Sequence, residues 1–165
     1  MIFSGDLICI FGKNGTGKTT LLKKLAFIES DKTDVIYYYG NKCDIGYVPQ
    51  YVEQYIYCDS LIEELFTFVN NKECCYKLLK NMELYYARNK SIYYLSDGEK
   101  RLFYLYANIY SDKKILLLDE PLCGLDKENK AKINSLLKSI RKDKTVIYCT
   151  NRSNEILLES RVINL

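Results

Sequence analysis

Short apolar runs and stretches of helical spacing alternate along the chain. Two continuous apolar runs, Leu7–Phe11 and Ile115–Leu118, are typical of strands that are buried on both faces of a parallel sheet. Weaker patterns predict further strands at Val35–Tyr39, Ile45–Val48, Thr145–Cys149 and Val162–Leu165. Together these strands would supply the sheet of an α/β domain.

The segments between the predicted strands carry apolar residues at helical spacing. Helices are predicted at Lys18–Ile28, Ser60–Asn70, Glu73–Ala87, Asp97–Tyr110, Lys127–Arg141 and Ser153–Ser160. The helix at Ser60 opens with the Ser-x-x-Glu pattern of a capping box. Because the segment from Gln50 to Leu95 has helical patterns only, we predict one domain with an α/β core (residues 1–50 and 95–165) and an inserted helical subdomain (residues 51–94).

Composition restricts the chemistry that this chain can perform. None of the 165 residues is histidine, which excludes a Ser-His-Asp triad, a His-ligated metal and a His general base. Carboxylates, lysine, hydroxyls or backbone amides must therefore carry any reaction. The balance of 24 basic against 21 acidic residues is too even to indicate nucleic-acid binding.

Cysteine usage and hydropathy indicate the compartment. The seven cysteines are odd in number and have no C-x-x-C spacing, which argues against a disulfide framework and against a zinc site. We therefore expect a reduced, cytosolic chain. No apolar run approaches the ~20 residues that a membrane-spanning helix needs, so any membrane association would be peripheral.

A phosphate-binding loop follows the first predicted strand. Residues Gly12–Thr19 match G-x-x-x-x-G-K-[ST] and lie between a buried strand and a helix, which is the context that this motif requires. The glycines let backbone N–H groups wrap phosphate oxygens. Lys18 would reach the outer phosphates, and the Thr19 hydroxyl would bind Mg²⁺.

Two carboxylates follow the apolar run Ile115–Leu118. Asp119 and Glu120 would lie at the same edge as the phosphate loop, because parallel strands share one carboxyl edge. Asp119 would hold Mg²⁺ through water, and Glu120 would polarise the attacking water as general base. A strand that ends in solvated acids is common by itself, but its pairing with the phosphate loop disfavours that alternative.

With these motifs the sequence resembles the ATP-binding subunit of ABC (ATP-binding cassette) transporters, a branch of the P-loop NTPase superfamily. The resemblance covers nearly the whole chain, and five motifs occur in the family's order. They are Gly12–Thr19 (Walker A), Gly46–Gln50 (Q-loop), Leu95–Glu99 (signature), Leu116–Pro121 (Walker B) and Gly124–Asp126 (D-loop). Walker A, signature and Walker B together are highly specific.

The resemblance implies a P-loop NTPase (RecA-like) fold and a set of ATP-site residues. The catalytic residues would be Gln50, Glu120 and Asn151, and Mg²⁺ would be held by Thr19, Gln50 and Asp119. ATP would be bound by Gly12, Lys13, Asn14, Gly15, Thr16, Gly17, Lys18, Thr19, Thr20, Ser96 and Gly98. In this family the signature binds the ATP of the opposite protomer, which implies a head-to-tail dimer with Asp126 at its interface.

The sequence departs from the family pattern at three places. The signature reads LSDGE rather than LSGGQ, so the Asp97 carboxylate lies near a phosphate site, as in variants that look like those of some iron-siderophore and heme importers. Only Met1–Asp6 precede the first strand, so we expect the family's N-terminal antiparallel strands and adenine-stacking aromatic residue to be largely missing. Asn151 occupies the position of the switch histidine. Losing one stabilising contact of that kind costs about 10²–10³ in rate, so we expect ATP binding with slow hydrolysis.

The leading hypothesis is the ATPase subunit of an ABC transporter, peripheral on the cytoplasmic face of a membrane. Its partners would be a second ABC ATPase subunit, in a homo- or heterodimer, and a separate membrane-spanning permease, with no nucleic acid. Apolar and aromatic residues between Tyr51 and Phe68 are either docking surface for the permease or core of the subdomain. A soluble ABC ATPase outside transport, such as an iron–sulfur assembly factor, and a degenerate non-catalytic subunit remain as alternatives.

Overall fold

A five-stranded parallel sheet forms the centre of the computed structural model, which describes residues 1–29 and 44–165. The strand predicted at Val35–Tyr39 lies outside the described residues. The sheet has the order β2-β3-β4-β1-β5. Its strands are β1 (Leu7–Phe11), β2 (Ile45–Val48), β3 (Ile115–Asp119), β4 (Thr145–Thr150) and β5 (Arg161–Asn164). The predicted α/β fold with a parallel sheet is confirmed.

Helices connect the strands. They are α1 (Lys18–Leu25), α2 (Leu61–Val69), α3 (Lys72–Asn81), α4 (Asp97–Ile109) and α5 (Lys127–Ser139). Single 3₁₀ turns lie at Glu53–Tyr55, Tyr85–Ala87, Ile92–Tyr94, Ile140–Lys142 and Ser153–Glu155. Within the two described ranges, none of the helices is long and apolar enough to cross a membrane.

Two helices end well before the residue that the sequence pattern predicts, and a third predicted helix does not form. α1 stops before Phe27 and α3 stops before Glu83, because both residues have a left-handed backbone (φ 57° and 61°) that a right-handed helix cannot include. The helix predicted over Ser153–Ser160 is wrong, since only the 3₁₀ turn Ser153–Glu155 forms and Ile156 is extended. The spacing of apolar residues gives no information on these changes of backbone conformation.

The central strands β1, β3 and β4 are buried on both faces, as the continuous apolar runs of β1 and β3 predict, whereas the edge strand β5 is exposed. Alternate side chains of β1, β3 and β4 point to one face and pack with Leu22 of α1; they are Ile8, Ile10, Leu117, Ile147 and Cys149. The side chains between them belong to a second buried cluster that includes residues of α4 and α5. Helices on both sides therefore fix the sheet in place.

Only helical elements lie between β2 and α4 within the described residues. α2 begins as predicted at Ser60, whose hydroxyl accepts a hydrogen bond from the Glu63 backbone N–H and donates one to the Glu63 carboxylate (2.7 Å). The division into an α/β core (residues 1–50 and 95–165) and a helical subdomain (residues 51–94) remains a prediction.

A fully buried carboxylate joins α2 to the segment before it and to α4. Glu64 accepts hydrogen bonds from the backbone N–H groups of Tyr57 (3.0 Å) and Cys58 (2.8 Å) through Oε2. Its Oε1 accepts the hydroxyl of Tyr104 (2.9 Å). Burial, followed by the charge of Glu64, raises the pKa of Tyr104, so this hydroxyl remains a donor at neutral pH.

We predict that Glu64→Leu destabilises the chain by about 3 kcal/mol, because two backbone N–H groups and one hydroxyl lose their buried acceptor. Urea denaturation measures the free energy of unfolding. Glu73→Leu is the control, since Glu73 forms an exposed ion pair with Lys77 (2.9 Å) whose loss costs below about 1 kcal/mol. Equal effects of the two substitutions would contradict the prediction.

Candidate active site

The register of three strands brings three loops to one edge of the sheet. β4 lies between β3 and β1, with Cys149 opposite Asp119 and Thr150 opposite Phe11. The residues that follow these strands are therefore neighbours. The Gly12 N–H donates to the Thr150 carbonyl (3.4 Å) and ties the phosphate loop to the end of β4.

A polar cavity of about 350 Å³ opens at this edge. Its lining residues are Asn14, Gly15, Gly17, Lys18, Thr19, Thr20, Gln50, Glu120 and Asn151. All of them are residues that the sequence assigns to an ATP site. The lining does not include Asp119, which lies buried at the end of β3, or the signature residues Ser96 and Gly98.

The phosphate loop depends on glycine at two positions. Gly17 has a left-handed backbone (φ 91°) directly before α1, so it turns the chain into the helix and aims the first free N–H groups at the cavity. Gly12 leaves no room for a side chain, since a Cβ there would lie 2.7 Å from the Leu165 carbonyl oxygen and 2.8 Å from the Thr16 hydroxyl. The loop is therefore a concave cradle of backbone donors suited to phosphate.

Lys18 is folded back onto this loop. Its side chain is 6% exposed, and Nζ donates to the carbonyl oxygens of Gly12 and Lys13, both at 2.9 Å. These carbonyls are neutral acceptors, whereas phosphate oxygens carry charge and accept stronger hydrogen bonds. Lys18 can therefore exchange its present partners for phosphate oxygens without leaving the cavity wall.

Three polar side chains face the loop across the cavity. Gln50 Nε2 lies 3.4 Å from Glu120 Oε2, at the outer limit of a hydrogen bond. The Asn151 amide donates to the Asn14 side-chain carbonyl (2.6 Å) and thereby joins the end of β4 to the phosphate loop. A carboxylate and two amides thus surround the space beyond the loop, where a terminal phosphate and an attacking water would lie.

The chemistry of Asp119 fits the Mg²⁺ ion that the resemblance implies. Asp119 is 1% exposed; Oδ1 accepts the Cys149 thiol (2.7 Å), while Oδ2 is buried with no hydrogen-bond partner among the described residues. Burial, followed by the charge of Asp119, raises the pKa of Cys149, so the thiol stays protonated. Because Mg²⁺ prefers oxygen ligands, the free Oδ2, the Thr19 hydroxyl and the Gln50 side-chain oxygen form a suitable donor set.

The signature residues lie at the start of α4. Ser96 caps this helix, and its hydroxyl and backbone N–H both donate to the Glu99 carboxylate (2.7 and 2.8 Å). These hydrogen bonds lower the pKa of Glu99. Asp97 is directed to solvent and pairs with Lys100 (3.2 Å), so of the two residues that depart from the family pattern only Glu99 engages the Ser96 hydroxyl.

Arg101 is a site residue that the motif analysis misses. Its Nη1 donates to the Glu120 carbonyl (2.6 Å) and its Nη2 donates to the Gln50 carbonyl. The sequence gives only a weak signal for this role. Arg101 is a charged residue shortly after the signature motif, on a helix whose later residues are almost all buried. Asp126, by contrast, caps α5 by accepting the Asn129 N–H (2.8 Å), which lowers its pKa.

Known proteins resemble this chain in sequence and fold. A family profile for ABC transporters matches residues 1–123. A putative ABC transporter ATP-binding protein of Mycoplasma pneumoniae is 32% identical over 160 residues, which cover 82% of this chain and 45% of that protein. The chain therefore spans less than half of the length of this relative.

Two solved structures share the fold. A putative ABC transporter ATP-binding protein from Pyrococcus furiosus is 25% identical with a TM-score of 0.82, covering 99% of this chain and 86% of its own. An ATP-binding cassette solved as a dimer in a post-hydrolysis state with ADP and Pi gives a TM-score of 0.85 at 22% identity. The match covers 100% of this chain and 83% of the solved chain. The predicted P-loop NTPase architecture is confirmed.

We predict that Lys18→Met weakens ATP binding by about 10- to 100-fold, because one charge-assisted contact to the phosphates is lost. Equilibrium binding of a fluorescent ATP analogue measures the effect. Lys23→Met on the same helix is the control, since Lys23 forms a surface pair with Glu29 (2.8 Å) outside the cavity lining. Equal affinities of the two variants would place the phosphates elsewhere.

Proposed function

The chain belongs to the ABC transporter family, and on that basis we propose that it is an ATP-binding and ATP-hydrolysing subunit that powers transport through a separate membrane subunit. The observation that carries this proposal is the convergence of Lys18, Gln50, Glu120 and Asn151 with the phosphate loop on one cavity. Each of these side chains comes from a different family motif. They line one cavity of about 350 Å³.

The first step is binding of the triphosphate in the phosphate loop. Backbone N–H groups of the loop and of the start of α1 donate to phosphate oxygens. Lys18 releases the carbonyls of Gly12 and Lys13 and donates to the outer phosphates instead. Thr19, Gln50 and Asp119 would hold Mg²⁺, which when bound neutralises charge on the phosphates.

The hydrolytic step uses Glu120 as general base. Its carboxylate accepts a proton from a water molecule as the water oxygen bonds to the γ-phosphorus. The bond from that phosphorus to the oxygen of the departing ADP breaks, so ADP and phosphate are the products. Gln50 lies beside the Glu120 carboxylate and orients the same water.

Asn151 makes this step slow. Its amide can donate one neutral hydrogen bond to a γ-phosphate oxygen, whereas the histidine usual at this position can also carry charge. The amide donates to the Asn14 side-chain carbonyl, a contact that it must exchange for the phosphate. The resulting turnover is slow, and a degenerate subunit that binds ATP without hydrolysing it is the limiting case.

The proposed assembly is a dimer of ATPase subunits on the cytoplasmic face of a membrane. Ser96 and Gly98 bind the nucleotide of the opposite subunit, which agrees with their position outside this chain's own cavity. The segment after Gln50 contributes core and surface alike: Leu61 and Leu65 are fully buried, whereas Tyr57 is 79% exposed. We assign the exposed aromatic residues, Tyr51 among them, to the contact with the permease.

We predict that Asn151→His raises the single-turnover rate of ATP hydrolysis by about 10²-fold, because it restores a charged donor to the γ-phosphate. Asn154→His is the matched control, since Asn154 is exposed and outside the cavity lining. The Glu120→Gln variant, which lacks the proposed general base, gives the background rate of ATP hydrolysis. Fast turnover of the unmodified chain that Asn151→His leaves unchanged would contradict slow hydrolysis.

We predict that Tyr57→Ser reduces recovery of the chain with the membrane fraction of its host, because it removes an exposed aromatic contact to the permease. Leu158→Ser is the control, since Leu158 is 96% exposed in another part of the chain. Quantitative immunoblotting of membrane and cytosolic fractions measures the distribution. A purely cytosolic unmodified chain would instead support an ABC ATPase outside transport.

A further inference from the structure

We propose that Arg101 is a positioning residue that aligns Gln50 with Glu120 and couples this pair to the start of α4. The inference rests on the proposed ATP hydrolysis and concerns a residue outside the five family motifs. The guanidinium group does not line the cavity. It acts on the backbone of the two residues that do.

The guanidinium fork bridges two loops from different parts of the chain. Nη1 donates to the carbonyl of Glu120 (2.6 Å), and Nη2 donates to the carbonyl of Gln50. A planar guanidinium presents several donors in fixed directions, so it can hold two carbonyls at once, whereas a lysine ammonium on a flexible stem acts as a point charge. Arg101 therefore sets the separation of the two loops.

The Glu120 backbone needs this support. Glu120 has φ 47°, in the left-handed region that residues with a side chain rarely adopt. Its N–H donates to the Cys149 carbonyl (3.2 Å), and its carbonyl accepts the Cys123 N–H (3.1 Å) in addition to Arg101. Loss of the Arg101 contact leaves the carbonyl side of this strained residue with one backbone partner.

The alignment of the two side chains is sensitive to small displacements. Gln50 Nε2 and Glu120 Oε2 are 3.4 Å apart, so a shift of either loop by a few tenths of an ångström decides whether they interact. A base and a water-orienting amide must share one water molecule. Because misplacement by ~1 Å can cost about 10²-fold in rate, an anchor common to both backbones has a direct effect on hydrolysis.

Helix α4 also contacts the segment that follows Gln50. Lys100 pairs with Glu53 (3.5 Å), and the Tyr104 hydroxyl, which donates to Glu64, also lies 3.0 Å from the Tyr55 carbonyl oxygen. Together with Arg101, the Lys100–Glu53 pair and this close approach hold residues 50–55 against α4 along more than one helical turn. Ser96 caps the start of α4. A phosphate that binds at Ser96 and shifts this helix would therefore move Gln50 and Glu120 together.

Single-turnover hydrolysis of Arg101→Lys tests the proposal. We expect the hydrolysis rate constant to fall by about 10- to 100-fold. The affinity for ATP should stay unchanged, because the phosphate loop lies between β1 and α1, whereas Arg101 donates to Gln50 and Glu120. Arg88→Lys is the matched control: Arg88 is also half-buried and also donates to a backbone carbonyl, that of Tyr85 (3.2 Å), away from the cavity. It should leave both quantities unchanged.

A rescue experiment separates positioning from general stability. Added guanidinium ion should restore part of the hydrolysis rate to Arg101→Ala, since it can occupy the vacated site between the two carbonyls, and should leave Arg88→Ala unaffected. A purely structural role predicts instead a lower unfolding temperature, with affinity and rate reduced together and no rescue. That result, or an unchanged rate in Arg101→Lys, would overturn the proposal.

Amide hydrogen exchange tests the proposal without turnover. In the ATP-bound chain, Arg101→Lys should accelerate exchange in peptides that cover residues 120–125, where the Cys123 N–H bonds the Glu120 carbonyl. Arg88→Lys should not. If the unmodified chain hydrolyses no ATP, the proposed function fails, yet this difference in exchange still confirms the positioning role and its absence still refutes it.

Discussion

The parallel register of β1, β4 and β3 is the constraint on which the site depends. Because Phe11 lies opposite Thr150 and Cys149 lies opposite Asp119, the residues that follow all three strands emerge at one edge. The apolar side chains on both faces of these strands fix this register, since a slip by one residue would move each of them to the opposite face and disrupt its packing against the helices. Packing of the core therefore places the phosphate loop beside Glu120 and Asn151.

Neutral donors at the end of β4 replace the histidine that this sequence lacks. The Cys149 thiol donates to Asp119, and the Asn151 amide donates to Asn14. Positive charge comes instead from Lys18 in the cavity wall and from the Arg101 guanidinium behind it, and both groups donate to backbone carbonyls. The neutral donors are the basis for our proposal that the site binds ATP and hydrolyses it slowly.

Local sequence patterns predict the sheet and the phosphate loop because both follow from residues adjacent in the chain. Continuous apolar runs mark β1 and β3, and the glycine spacing of residues 12–17 marks the loop. The anchors Glu64 and Arg101 are beyond such reasoning, since each bonds groups that are brought near only by the fold. The sequence pattern does not predict the end of α3 for a different reason. That end depends on the backbone conformation of Glu83 and not on the spacing of apolar residues.

A crystal structure with Mg²⁺ and a non-hydrolysable ATP analogue tests the account most directly. We expect the triphosphate in the phosphate loop, Lys18 Nζ moved from the carbonyls of Gly12 and Lys13 to phosphate oxygens, and the γ-phosphate facing Glu120 and Asn151. A nucleotide bound elsewhere, or a Lys18 that keeps its carbonyl partners in the nucleotide-bound chain, would contradict the account.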